Sequence, residues 1–161
     1  MKGLLRSFYF ALCGVFRTVW EERNFRIHLT AVFFVSWLAV LYEASATQAV
    51  ILVLVYFNVL ALELINTAVE NAVDHASRER TGFGKRAKDA AAGAVLLSAV
   101  SAVVVAVLLF RDGERWRLVW DKLTTFPRGA FFLCAVFAAV WFVFFFGKKK
   151  TLPGNGKDQN D

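Results

Sequence analysis

Cysteine and histidine are scarce, with two of each in 161 residues. Cys13 and Cys134 stand far apart in apolar surroundings, which argues against a disulfide framework or a cysteine metal knuckle. His28 and His75 do not have the spacing of zinc ligands. A P-loop is missing too: Gly82 and Gly84 precede Lys85, but no Ser or Thr follows that lysine. Acidic residues are in the minority, 13 against 19 lysines and arginines, for a net charge of +6. No small-residue cleavage site follows the apolar run 7–16, so the basic N-terminus does not read as a secretory signal.

Apolar surface, in contrast, is abundant. The chain is 58% hydrophobic and 16% aromatic, with a mean hydropathy of +0.51, more than a soluble core of this size requires. The bilayer is therefore the expected solvent. Basic clusters between the apolar blocks suit anionic headgroups, and no basic face is left over for nucleic acid.

The spacing predicts an all-α integral membrane protein. In residues 1–26, Leu4, Leu5, Phe8, Leu12, Val15, Phe16 and Val19 recur at helical intervals opposite Lys2, Arg6 and Arg17. This is the pattern of an amphipathic helix lying in the interface. A core at 27–110 holds three apolar blocks, 27–42, 44–62 (continuing helically to 74) and 90–110. A tight hairpin around Glu43 joins the first two. A connection at 111–128 leads to a fourth apolar block at 129–147 and a basic, disordered tail at 148–161. The last three blocks are long enough to cross roughly 30 Å of hydrocarbon. Five basic residues precede the first span, none lies between spans one and two, and five lie between spans two and three. The N-terminus and the 75–89 loop are thus expected on the cytoplasmic side. The five basic residues of 111–128 strain that scheme, whereas Lys148, Lys149 and Lys150 favour a cytoplasmic C-terminus.

Chemistry is concentrated at the end of the second span. Glu63, Asn66, Glu70 and Asp74 follow one another at i, i+3, i+7 and i+11, which places them within roughly 80° on one helix face. An acidic residue deep in a spanning helix costs about 2.5–3.5 kcal/mol on insertion scales, so such a stripe reads as functional before it reads as structural. Glu63 sits about 10 Å deeper than Glu70, and the stripe runs from hydrocarbon to water. A bundle interior paired with Arg23, Arg26 or Lys88 for register is the bland alternative, and an ion or proton pathway would use the same stripe.

Lys88 and Asp89 precede an alanine-rich helix, where a lysine and free helix-start N–H groups can hold an anion. Lys85, Arg86, Arg78 and Arg80 read as basic membrane anchors. Glu22, just before the first span, pairs naturally with Glu70 as two hard oxygen ligands for Mg²⁺ held mostly by water and phosphates.

The strings ERNFRIH, LELINTAVENAVD and AKDAAAGAVL, in this order and spacing, resemble those of the small bacterial membrane kinases for diacylglycerol and undecaprenol, and look closest to the Gram-positive undecaprenol kinases. The likeness covers about residues 4–110. It implies a homotrimer of three-span protomers in the bacterial cytoplasmic membrane, with composite sites at subunit boundaries open to cytoplasm and membrane. By the resemblance, Glu63 is the general base for the lipid hydroxyl, with Asn66 beside it, and Arg26 lies on the substrate side. Glu22 and Glu70 are the metal-linked carboxylates for Mg²⁺. Lys88 and Asp89 contact ATP, Asp74 is a further acidic site residue, Glu79 begins the adenine-side loop, and Phe10 or Arg6 approaches the nucleotide. The implied activity is transfer of the γ-phosphate of ATP to undecaprenol, with diacylglycerol as the alternative acceptor. A non-enzymatic ion pathway or scaffold subunit is the alternative of another class. The fourth apolar block has no counterpart in the three-span pattern.

Overall fold

The computed structural model describes residues 2–76, 82–125 and 127–147. Among them are six α-helices and no strand: α1 (Lys2–Glu21), α2 (Arg23–Leu41), α3 (Ala46–Ala76), α4 (Gly82–Leu109), α5 (Gly113–Thr124) and α6 (Arg128–Phe145). Four of these, α2, α3, α4 and α6, are long and apolar enough to cross a membrane. Residues 77–81, with Arg78, Glu79 and Arg80, and the tail 148–161 lie outside the described residues.

The spanning helices pack in the order α4, α3, α2, α6. α1 touches α2 and α3 at one end of this row, and α5 bridges α2 and α6 at the other. A row buries little of each helix. Leu96, Leu97, Val103, Val107 and Leu108 of α4 are all exposed, as are Phe131, Phe137, Phe144 and Phe145 of α6. In water such faces would be untenable, but against lipid they need no partner. At 31 residues, α3 is about 46 Å long, so it outruns the hydrocarbon and carries its last turns beyond it.

Helix ends must satisfy the carbonyls that the helix itself leaves unpaired. Here side chains do much of that work. At the end where α2 turns into α3, Lys122 Nζ donates to Leu41 O at 3.1 Å and Gln48 Nε2 to Leu109 O at 3.1 Å, while Trp116 Nε1 reaches Phe110 O at 2.7 Å. Tyr42 is the hub of this end, 1% exposed in a cluster with Leu52, Phe110 and Val119. Its hydroxyl accepts from Asp112 N at 2.8 Å, its ring meets Phe110 edge-on at 5.0 Å, and the Arg115 guanidinium lies 5.5 Å from it. Asp112 in turn caps α5 by accepting from Glu114 N at 3.0 Å.

The 111–128 segment, expected only as a connection, therefore carries a helix. Its basic residues have local work: Arg115 donates to Glu43 O at 3.0 Å, and Lys122 pairs with the Glu43 carboxylate at 2.7 Å. This accounts for cations at an end where charge counting disfavours them. The hairpin centres on Glu43 as the sequence suggests, and Glu43 takes a positive φ of 56°, an uncommon conformation for a residue with a side chain.

The hydrogen bond and charge of Lys122 hold the Glu43 carboxyl below its usual range. A carboxyl depressed on folding contributes stability above its unfolded value and loses it as pH falls through the folded one. Glu43→Gln is accordingly expected to lower the melting temperature of detergent-solubilised protein at neutral pH. The gap to the parent should close as the buffer is taken below the ordinary carboxylate range. A gap independent of pH would show that the ion pair contributes nothing.

Candidate functional site

The acidic stripe lies on α3, away from the Tyr42 end. Glu63 is about 25 Å along the helix from Ala46, and Asp74 about 16 Å further. The structure buries Glu63 to 3% exposure, together with Asn66 and Thr67. Thr67 Oγ1 donates to Glu63 O at 3.1 Å, which uses the hydroxyl within the helix and leaves the carboxylate untouched. No described donor hydrogen-bonds the Glu63 carboxylate, which is buried within electrostatic reach of the Glu22 and Glu70 carboxylates. Those two acids, 48 positions apart in sequence, thus converge on Glu63. The fold brings them together by ending α1 at Glu21 and starting α2 at Arg23, so that Glu22 forms the elbow between them, extended at φ −104° and ψ 114°.

Asn66, between Glu63 and Glu70 on the stripe, is bonded to the shallower acid alone. Its Nδ2 donates to Glu70 Oε1 at 3.1 Å, while its Oδ1 is buried with no hydrogen-bond partner. An unmet buried acceptor costs about 1–3 kcal/mol, a cost tolerated where a ligand completes the shell. One turn beyond Glu70, Asp74 forms an ion pair with Lys88. This contact ties the ends of α3 and α4 together and holds the ammonium at the wet end of the stripe, partly exposed. Asp89, next in sequence, is exposed. Contrary to the sequence expectation, Lys88 and Asp89 do not precede the helix but stand about two turns inside α4, which begins at Gly82. The backbone N–H groups beside them are spent within the helix and cannot help hold an anion.

A divalent cation fits the donor set. Among the described residues no three His, Cys, Asp or Glu side chains form a ready metal cage, but a hard ion needs only one or two carboxylates when phosphates and water supply the rest. Glu22 and Glu70, each within electrostatic reach of Glu63, provide that much, and Asn66, bonded to Glu70, adds an unmet oxygen.

Two expected site residues stand elsewhere in a single chain. Phe10 lies on α1, about 18 Å along the helix from Glu22. It is 57% exposed, and its described ring contacts are Tyr9 and the Arg6 guanidinium at 5.4 Å. Arg26 is buried, but its guanidinium turns from the stripe toward the carbonyls of Val19, Trp20 and Val143. Thr67 was not anticipated from sequence, although its position four residues after Glu63 is the signal that would have found it. Glu79 lies outside the described residues.

A family model described as prokaryotic diacylglycerol kinase matches residues 9–110. The chain is 38% identical over 110 residues to an undecaprenol kinase of Bacillus subtilis, spanning 68% of this chain and 89% of that relative. It is 43% identical over 104 residues to a diacylglycerol kinase of Synechocystis sp., spanning 64% of this chain and 59% of that relative. No solved structure matches it. The matched segment contains the elbow, the acidic stripe and the Lys88–Asp74 pair, and this chain, α5 and α6 apart, belongs to the prokaryotic diacylglycerol kinase family.

Proposed function

We propose that this lipid kinase transfers the γ-phosphate of ATP to undecaprenol, giving undecaprenyl phosphate, from a site that faces the cytoplasm. The observation that carries the proposal is the carboxylate of Glu63, 3% exposed at membrane depth and on one helix face with Glu70 and Asp74 above it. An alcohol confined to the bilayer meets the acid at its own depth, and a nucleotide confined to water meets Lys88 at the other end. Undecaprenol is preferred to diacylglycerol because the undecaprenol kinase relative aligns over 89% of its length.

The hydroxyl oxygen of the lipid attacks the γ-phosphorus, and its proton passes to the Glu63 carboxylate. The new P–O bond forms as the β,γ-bridging bond breaks, and ADP departs with the electron pair. Lys88, drawn from Asp74, neutralises phosphate charge, with Asp89 and Glu79 alongside the nucleotide. Asn66 holds Glu70 and offers its unpaired oxygen toward the reacting groups. Glu22 and Glu70 would hold Mg²⁺, which when bound would offset the charge of the phosphates. A homotrimer would set a neighbour's helices against the exposed faces of the row and bring Phe10 of one subunit to a site shared at the boundary. α1 would lie in the interface as an amphipathic helix.

Purified protein in detergent, given labelled ATP with undecaprenol or diacylglycerol, is expected to yield undecaprenyl phosphate faster than phosphatidic acid. The reverse order would transfer the assignment to diacylglycerol, and no lipid product at all would favour a non-enzymatic membrane role. Glu63→Gln should lower kcat by about 10²-fold or more while leaving ATP affinity within about twofold; normal turnover in that variant would remove Glu63 from the chemistry. Glu22→Ala and Glu70→Ala are each expected to weaken nucleotide binding most at saturating Mg²⁺ and least in its absence. A Mg²⁺ dependence identical to that of the parent would remove these carboxylates from the metal site.

A further inference from the structure

α6 lies beyond the family-matched segment, yet its last turn is docked on that segment's first motif. The Arg26 guanidinium, on α2 and only 6% exposed, joins three helices. Its Nη1 donates to Val19 O at 3.0 Å and Trp20 O at 3.1 Å, at the end of α1, and its Nε and Nη2 both reach Val143 O of α6 at 3.4 Å. Phe146 meets Trp20 edge-on at 4.7 Å, and the Arg23 guanidinium lies 5.5 Å from the Phe144 ring. Gly147 closes the contact with a φ of +90°, and a Cβ there would stand 2.1 Å from the Trp20 carbonyl oxygen. Only glycine permits this approach.

All of these contacts surround one residue. α1 and α2 are separated by Glu22 alone, so the position of its carboxylate follows from the angle between two helices that share a single-residue elbow. Arg26 and the end of α6 hold that angle: the guanidinium fastens α1 to α2, and α6 covers the fastening and supplies its third carbonyl. We propose that α6 acts as an intramolecular clamp on the Glu22 elbow, with Arg26 as a positioning residue, and that its docking sets how tightly this kinase holds the metal-bound nucleotide. The proposal rests on the assignment of Glu22 to the Mg²⁺–ATP side of the site. A misplacement of about 1 Å in a positioned group can cost about 10²-fold in rate, and among the described residues α6 acts on the elbow without packing against α3, the helix that carries Glu63.

The test uses the full chain in detergent, with Gly147→Ala as the principal variant because it displaces the end of α6 without altering α1, α2 or the carboxylates. Phe146→Ala serves if that variant does not fold, and Arg26→Lys keeps the charge while losing the fork geometry. Gly147→Ala and Arg26→Lys are each expected to raise the KM for Mg²⁺–ATP and the half-saturating Mg²⁺ concentration by about fivefold or more, with the KM for lipid within about twofold of the parent. The double variant should be no worse than Arg26→Lys alone, because both changes undo the same dock. Unchanged Mg²⁺–ATP parameters in a folded variant would overturn the proposal, as would a fall in kcat with both KM values constant, or strictly additive losses. Should the parent phosphorylate no lipid, the assigned activity fails, and the clamp is then judged on Mg²⁺-dependent ATP binding by calorimetry. There, equal affinity in parent and Gly147→Ala overturns it, and a parent that binds no nucleotide overturns both.

Discussion

Hydrocarbon offers no hydrogen bonds, so every carbonyl at the end of a spanning helix must find a donor within the protein or reach water, at a cost of several kcal/mol where it does neither. In this chain that requirement is met at both ends of the helix row by a few long side chains. Lys122, Gln48 and Trp116 take the carbonyls that end α2 and α4. Arg26 takes those of α1 and α6. The row itself buries so little that these end contacts, with the Tyr42 cluster, fix where each helix stands relative to the next. The approach of Glu22 to the acidic stripe depends on them, because Glu22 and the α3 acids arrive from different helices.

The two ends have different chemistry for a physical reason. Around Tyr42 the aromatic rings and the Lys122–Glu43 pair form a closed knot, in which the Tyr56 hydroxyl alone among the described buried side-chain groups lacks a partner. At the other end polarity is left open: Glu63 is buried without a described hydrogen-bond donor to its carboxylate, Asn66 Oδ1 has no partner, and Lys88 is held by an exposed acid from which phosphate can draw it. An unmet buried oxygen beside several carboxylates and a lysine marks a place where ligands can complete the set.

Much of this was legible beforehand. The helical period and the length of the apolar blocks are properties of the chain itself, and so is the face shared by Glu63, Asn66, Glu70 and Asp74, since four residues on one helix keep their relative angles in any fold. The hairpin at Glu43 followed from the absence of any residues to make a longer link. The helix at 113–124 was missed although Trp116, Val119, Trp120 and Leu123 recur at helical spacing, because a segment too short and too charged to span a membrane reads only as a link between apolar blocks. Its place is set by Tyr42 and Glu43, remote in sequence. Arg26 was placed by likeness to a three-span pattern, whereas its guanidinium is taken here by the ends of α1 and α6.

The amino-acid order by itself determined the membrane as solvent, the number of long helices and the single acidic face, because each depends on composition and on spacing within one helix. Tertiary structure alone decided that Glu22 meets that face, that Lys88 waits on Asp74, and that the last helix returns to grip the first elbow. These are meetings between distant segments, and their selection depends on which carbonyls and charges can be satisfied together in a medium that satisfies none of them.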